Sequence, residues 1–185
     1  MPILGIMASS TSGASAVGNF DSIASASGTG SSGTITFSSI PTTFTHLQIR
    51  GIGRTTATGA ADTTLRMRVN GYTSAYPLHR ILGNGTAASA YGATTEVYFQ
   101  DVVDVATNSA TSNVMGAFII DILDYANTNK FKTFRALSGT DNNGGGTIIF
   151  GSGLYSQTTA ITSITLEANG QNWTTTSNFA LYGIK

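Results

Sequence analysis

Any chemistry in this chain has to be assembled from few groups. Histidine occurs twice, at His46 and His79, cysteine is absent, and 9 carboxylates stand against 9 basic side chains. A zinc centre needs three or four ligands from His, Cys or carboxylate, and neither histidine has a partner at a motif spacing. Hydrogen bonding within the fold is the expected role of both. Twenty serines invite a Ser-His-Asp triad, yet no Gly-x-Ser-x-Gly elbow presents any of them. Asp121 and Asp124 stand three apart in a stretch that reads as strand, so they project to opposite faces. An acid and base acting on one sugar bond need two carboxyl groups flanking a cleft. Asp124 is therefore expected to open a turn by bonding backbone amides, and Asp121 to pair with Arg135 or a lysine across a hairpin. Residues 141–146, DNNGGG, have the opening of a calcium loop but lack its later acidic ligands and terminal glutamate, which leaves a turn. Gly51, Gly53, Gly83, Gly85 and 144–146 form no phosphate fingerprint, because no helix follows to supply the anion-binding end.

The aromatic residues Tyr72, Tyr76, Tyr91, Tyr98, Tyr155 and Trp173 are scattered rather than interleaved with basic ones. Packing in a core or between subunits accounts for most of them. Trp173, between Asn172 and Thr174, is the best placed to stack on a sugar ring, with packing as the alternative. No residue is assigned to catalysis, to a cofactor or to a metal.

The elements that would position these groups are strands. Residues 115–136, MGAFIIDILDYANTNKFKTFRA, read as a hairpin: Phe118, Ile120 and Ile122 fall on one face, and Ile119, Asp121, Leu123 and Tyr125 on the other. Both faces are largely apolar. A strand of that kind belongs in mid-sheet with cover on each side, a second sheet within the chain and a neighbouring subunit outside it. Residues 126–129 supply the turn, and Phe131 is out of phase with Phe134. Alternation also marks 20–26, 33–40, 45–54, 65–70, 147–154, 160–167 and 177–184, with a short strand at 78–82 and another at 96–99, EVYF. Residues 55–64 read as loop, and 83–95 as the longest irregular region. Roughly ten strands without a convincing helix predict an all-β, antiparallel β-sandwich, jelly-roll-like, in a single domain over 19–185.

Composition agrees. Charged residues make up 10% of the 185, and 29 Thr, 20 Ser and 22 Gly carry the polar surface, a mixture that suits half-exposed strands and tight turns. A net charge of zero gives nothing to attract nucleic acid or anionic lipid, and suits a protein packed against copies of itself. No apolar run approaches the roughly 20 residues that span a bilayer. Residues 1–7, MPILGIM, lack the basic start of a secretion signal and are read as mature protein. With the small residues that follow, they describe an extended N-terminal arm over 1–18 whose Ile3, Leu4, Ile6 and Met7 dock on a partner; a frayed terminus is the alternative.

The segments ILGIMASS, FSSIPTTFTHLQIRGIGR, IDILDYANTNKFKTFRALSG with its following DNNGG, AITSITL and NFALYGIK, spread over 3–185, resemble small virion structural proteins of tailed bacteriophages, of the cyanophage or aquatic phage type. The resemblance implies jelly-roll modules on the outside of a capsid or on tail appendages, commonly homotrimers, located in the virion and assembled in the host cytoplasm. Two roles then compete. One is a capsid decoration or cement protein that binds the major capsid protein; the other is a tail-fibre or receptor-binding module that meets a host-surface glycan. An enzyme such as a glycan depolymerase is a third class, and it requires paired carboxylates in a cleft.

Overall fold

A computed structural model describes residues 19–74 and 76–185, and these contain strands without helices. In chain order the strands are β1 (Phe20–Ser27), β2 (Thr34–Phe37), β3 (His46–Gly53), β4 (Asp62–Thr64), β5 (Arg66–Val69), β6 (Tyr76–Gly83) and β7 (Ala88–Glu96). They continue with β8 (Asp104–Ala106), β9 (Gly116–Ile122), β10 (Lys132–Asp141), β11 (Gly146–Tyr155), β12 (Ile164–Glu167) and β13 (Asn178–Ile184). The predicted hairpin is β9 and β10, antiparallel with Phe134 opposite Ile122 and Leu137 opposite Ile119. Asp124 takes a positive φ of 52° at its turn and its carbonyl accepts the Asn127 N–H at 2.9 Å. Asn70 and Gly71, with φ of 51° and 65°, form the tight turn after β5 that the Asn-Gly pair foretells.

The pairing is nested. β1 pairs with β13, β2 with β12, β3 with β9, β4 with β8, and Met67 of β5 bridges to Phe99. First therefore meets last, working inward, as in a long hairpin rolled into two layers, which is a jelly roll. Two further hairpins, β6–β7 and β10–β11, extend one layer. The result is an antiparallel sandwich with an eight-stranded sheet, β1-β13-β3-β9-β10-β11-β6-β7, over a three-stranded sheet, β2-β12-β5, and the short pair β4-β8.

The core lies between the layers. Leu47, Ile49, Phe118, Ile120, Ile122, Phe134, Phe179 and Leu181 come from the broad sheet; Ile35, Phe37, Met67, Val69, Ile164 and Leu166 come from the narrow one. Where the narrow sheet stops, the segment carrying Phe99, Val102, Val103 and Val105 covers the inner face instead. It approaches closely because the sheet beneath lacks side chains: a Cβ at Gly151 would lie 2.6 Å from Val102, and one at Gly153 2.5 Å from the Phe99 ring.

The observed elements differ from expectation at three places. Residues 84–87 are irregular as expected, but 88–95 are not and no strand runs over 96–99: β7 spans Ala88–Glu96, while Phe99 is held only by its bridge to Met67. β7 is an edge strand with little burial on either face, so its Ala, Ser and Thr carry no alternation to read. β4 lies within the stretch read as loop, because its three residues, all polar, are too few to show alternation. β6 also starts earlier, and Pro77 is accommodated at a register shift between Tyr76 and Leu78. The arm, including Ile3, Leu4, Ile6 and Met7, lies outside the described residues.

Candidate functional site

The register of the eight-stranded sheet fixes which side chains share its outer face. Reading across β9, β10, β11 and β6, Ile119 lies opposite Leu137, Leu137 opposite Phe150, and Phe150 opposite Ile81. A parallel row on the same face runs Ile52, Ala117, Gly139, Ile148 and Gly83. Successive strand residues alternate between faces, and here the inner positions are already filled with core residues. The outer row is nonetheless apolar: Ile81 is 61% exposed, Ile148 60%, Phe150 57%, Ile52 49%, Leu137 48% and Ile119 37%. An ordinary solvated sheet face would carry Thr, Lys or Glu at these positions.

A third row on this face is polar and bonded side to side: Gln48 Nε2 donates to Asp121 Oδ1 at 2.8 Å, and Arg135 Nη2 lies 3.4 Å from Asp121 Oδ2. Arg50, opposite Ile119 at the β3 end of the first row, joins it through Nε, which donates to Gln48 Oε1 at 2.7 Å. The Arg50 guanidinium also lies over the Phe20 ring at 5.0 Å and the Tyr182 ring at 5.6 Å. The face thus has an apolar field with a polar border of both signs. Its relief is uneven, because Ala117 and Gly139 leave a hollow of about 700 Å³ among Ile52, Ile119, Leu137 and Ile148. A second hollow of about 500 Å³ lies by His79, Ile81, Tyr91 and Phe150.

Most of the candidate chemical groups are occupied by structure, His79 excepted. His46 Nδ1 accepts the Asp124 backbone N–H at 2.9 Å, so this histidine is tied to the β9–β10 turn. Asp124 does not cap amides with its carboxylate, as expected, but pairs with Lys130 at 2.5 Å, and that bond holds its pKa below the usual carboxylate range. Asp121 pairs with Arg135, directly opposite it in the hairpin, rather than with a lysine, the other partner expected. His79 is exposed on β6 opposite Gly92 and Ser152, four sheet positions from the strand that bears His46. Among the described residues no three His, Asp or Glu side chains come together as metal ligands. Residues 141–146 form the β10–β11 turn: Asn142 N–H donates to Gly145 O at 2.8 Å and Asn143 N–H to Asp141 Oδ1 at 3.0 Å.

Trp173 is corrected as a sugar-stacking candidate. It is fully buried, edge-on to Phe179 at 4.8 Å, and offers no ring face to a ligand. Tyr76 and Tyr155 are core residues as well, with Tyr72 packed against them at 5.5 and 5.1 Å, while Tyr98 stacks under Arg66 and Arg68 at 4.9 and 3.8 Å.

Sequence reasoning passed over two ionisable groups. Lys132, on the inner face of β10, is fully buried and its ammonium donates to the carbonyls of Lys130, Gln157 and Thr158 at 3.3, 3.4 and 2.6 Å; burial lowers its pKa. Asp104 in β8 has its carboxyl pushed up to about 6, by burial first and then by the charge of Asp62. Neither lines the hollows on the outer face, so both belong to the fold rather than to a cleft. Comparison with protein-family models, with curated proteins and with solved structures returns no match.

Proposed function

We propose that this chain is a non-enzymatic structural protein of a bacteriophage virion: a capsid decoration or cement protein that binds the outer surface of the shell, with the major capsid protein as its partner. The observation that carries this reading is the uncovered face. The sandwich completes its own core between two layers, yet leaves six large apolar side chains exposed on the far side of the broad sheet. Patches of that kind are where proteins meet other proteins. A chain with 10% charged residues and no net charge raises little electrostatic barrier to such packing.

The mechanism is selective binding. Each copy that binds assembled shell but not loose subunits shifts the balance toward the assembled particle. Ile3, Leu4, Ile6 and Met7 supply the tether; burying a few hundred Å² there is worth several kcal/mol at about 25 cal/mol per Å², before ordering costs. Contact through several copies multiplies the effect. Deleting residues 1–12 should leave the sandwich folded, with an unchanged melting curve, and abolish retention on purified particles. Truncated protein that still copurifies with capsids at wild-type stoichiometry refutes the tether. The tail-fibre reading retains no sugar-stacking role for Trp173. Depletion separates the two roles: weakened shells with normal adsorption support cement, and intact shells that cannot adsorb support receptor binding.

A further inference from the structure

We infer that the outer face of the eight-stranded sheet is where two copies of this chain pack together, face to face about a twofold axis. Its area is sufficient. Eight strands at about 4.8 Å spacing and about seven residues at 3.4 Å give a face of roughly 900 Å², close to the roughly 800 Å² that each partner contributes to a stable interface. Its relief is self-complementary. The Ala117 and Gly139 hollow lies on the same face as the exposed Phe150 and Ile81, which wall the second hollow, the two displaced from each other across β10. In an isologous pair each surface meets its own copy, so the wall of one molecule can seat in the hollow of the other. A twofold near Leu137 puts each copy's Phe150 and Ile81 over the partner's hollow, with the apolar rows in contact.

Its charges permit the pairing as well. The bordering row carries Arg135 and Asp121, and Arg50 ends the apolar row beside Ile119, so both signs are present and a second copy of the same face brings no single-signed repulsion. The sheets would stack about 10 Å apart, as sheets within a sandwich do. This assembly is a pair rather than the trimer that the resemblance implies, and it covers the same face that carries the capsid reading, so a dimer would have to hold the shell through the N-terminal tether alone.

The test uses the full-length chain in sedimentation equilibrium at concentrations up to about 100 μM. The expected species is a dimer. Phe150→Asp and Ile119→Asp should each weaken dimerisation by at least about a hundredfold, because a twofold places the new charge in the interface twice. Both positions are solvent-exposed in the single chain, so circular dichroism and the melting temperature should show the fold intact. Phe131→Asp, at an exposed position in the β9–β10 loop, should leave the dimer unchanged. A Phe150→Asp copy mixed with an Ala117→Lys copy should recover a heterodimer, since wall and hollow then carry opposite charges.

A monomeric wild type, a trimer, or a dimer indifferent to Phe150→Asp and Ile119→Asp would overturn the inference. So would a monomeric full chain that dimerises once residues 1–18 are removed, which would make the arm the occupant of the face. Pairing without retention on particles sinks the capsid reading alone, and retention without pairing sinks this one alone.

Discussion

Trp173→Ala should lower the unfolding free energy by about 3–5 kcal/mol, the range for deleting a large aromatic from a packed core. The indole is fully buried and edge-on to Phe179, and a Cβ at Gly53 would come within 3.2 Å of it, so no neighbour stands ready to fill the space. Its backbone holds the β1–β2 loop in place: Gly30 N–H donates to Trp173 O, and Trp173 N–H donates to Ser32 O, each at 2.9 Å. The side chain thus fixes a point where the β1–β2 loop, the end of β3 and the segment before β13 converge. Its Nε1–H has no hydrogen-bond partner among the described residues, and an unsatisfied buried donor costs about 1–3 kcal/mol. Trp173→Phe, which removes that donor and keeps most of the ring, should therefore lose much less than Trp173→Ala. Urea unfolding followed by circular dichroism measures both. A loss below about 1 kcal/mol for the alanine variant would mean that the ring is not in the core.

Asp104→Asn should stabilise the protein at pH 7.5 and leave it unchanged near pH 4. The carboxyl is raised from an ordinary 3.8 to about 6, by burial first, then by Asp62 and more weakly by Asp101, while Arg80 and the Thr147 hydroxyl at 3.4 Å pull it down. A raised pKa means that the folded chain holds the proton more tightly than the unfolded one. The associated stability is complete below the unfolded value, declines as pH rises through about 6, and is gone above it. An asparagine is neutral throughout and escapes that loss. The difference between variant and wild type should grow between pH 4 and pH 7 to on the order of 2–3 kcal/mol, since each tenfold gain in proton affinity is worth about 1.4 kcal/mol. Urea midpoints at four pH values would read it. Parallel curves for the two proteins would show that Asp104 titrates normally.

Much of the fold was legible because a strand with one packed face writes its burial into the sequence. Leu47 and Ile49 against Gln48 and Arg50, and Met67 and Val69 against Arg66 and Arg68, sort in the structure as their alternation requires. The β9–β10 hairpin and the pairing of Asp121 with Arg135 followed from the same period of two. β7 was illegible because it is an edge strand, exposed on both faces, and Lys132 because a charged side chain at an inner position reads as solvent-facing. Trp173 was misplaced as a candidate because the polar residues around it bond to other loops: Asn172 N–H donates to Thr56 Oγ1 at 3.1 Å, and Thr174 N–H to Arg54 O at 2.9 Å.

The sequence by itself determined an all-β chain, the inward residues of most strands, and a second face at Ile119 too apolar for water. Alternation is a local property, set by the two-residue repeat of the extended backbone. Only the tertiary structure decided the nested pairing, the burial of Trp173, the proton affinity of Asp104 and the joining of Ile52, Ile81, Ile119, Leu137, Ile148 and Phe150 into one patch. These depend on which strands lie side by side, and strand neighbours far apart in the chain are chosen by packing rather than by any residue's own preference.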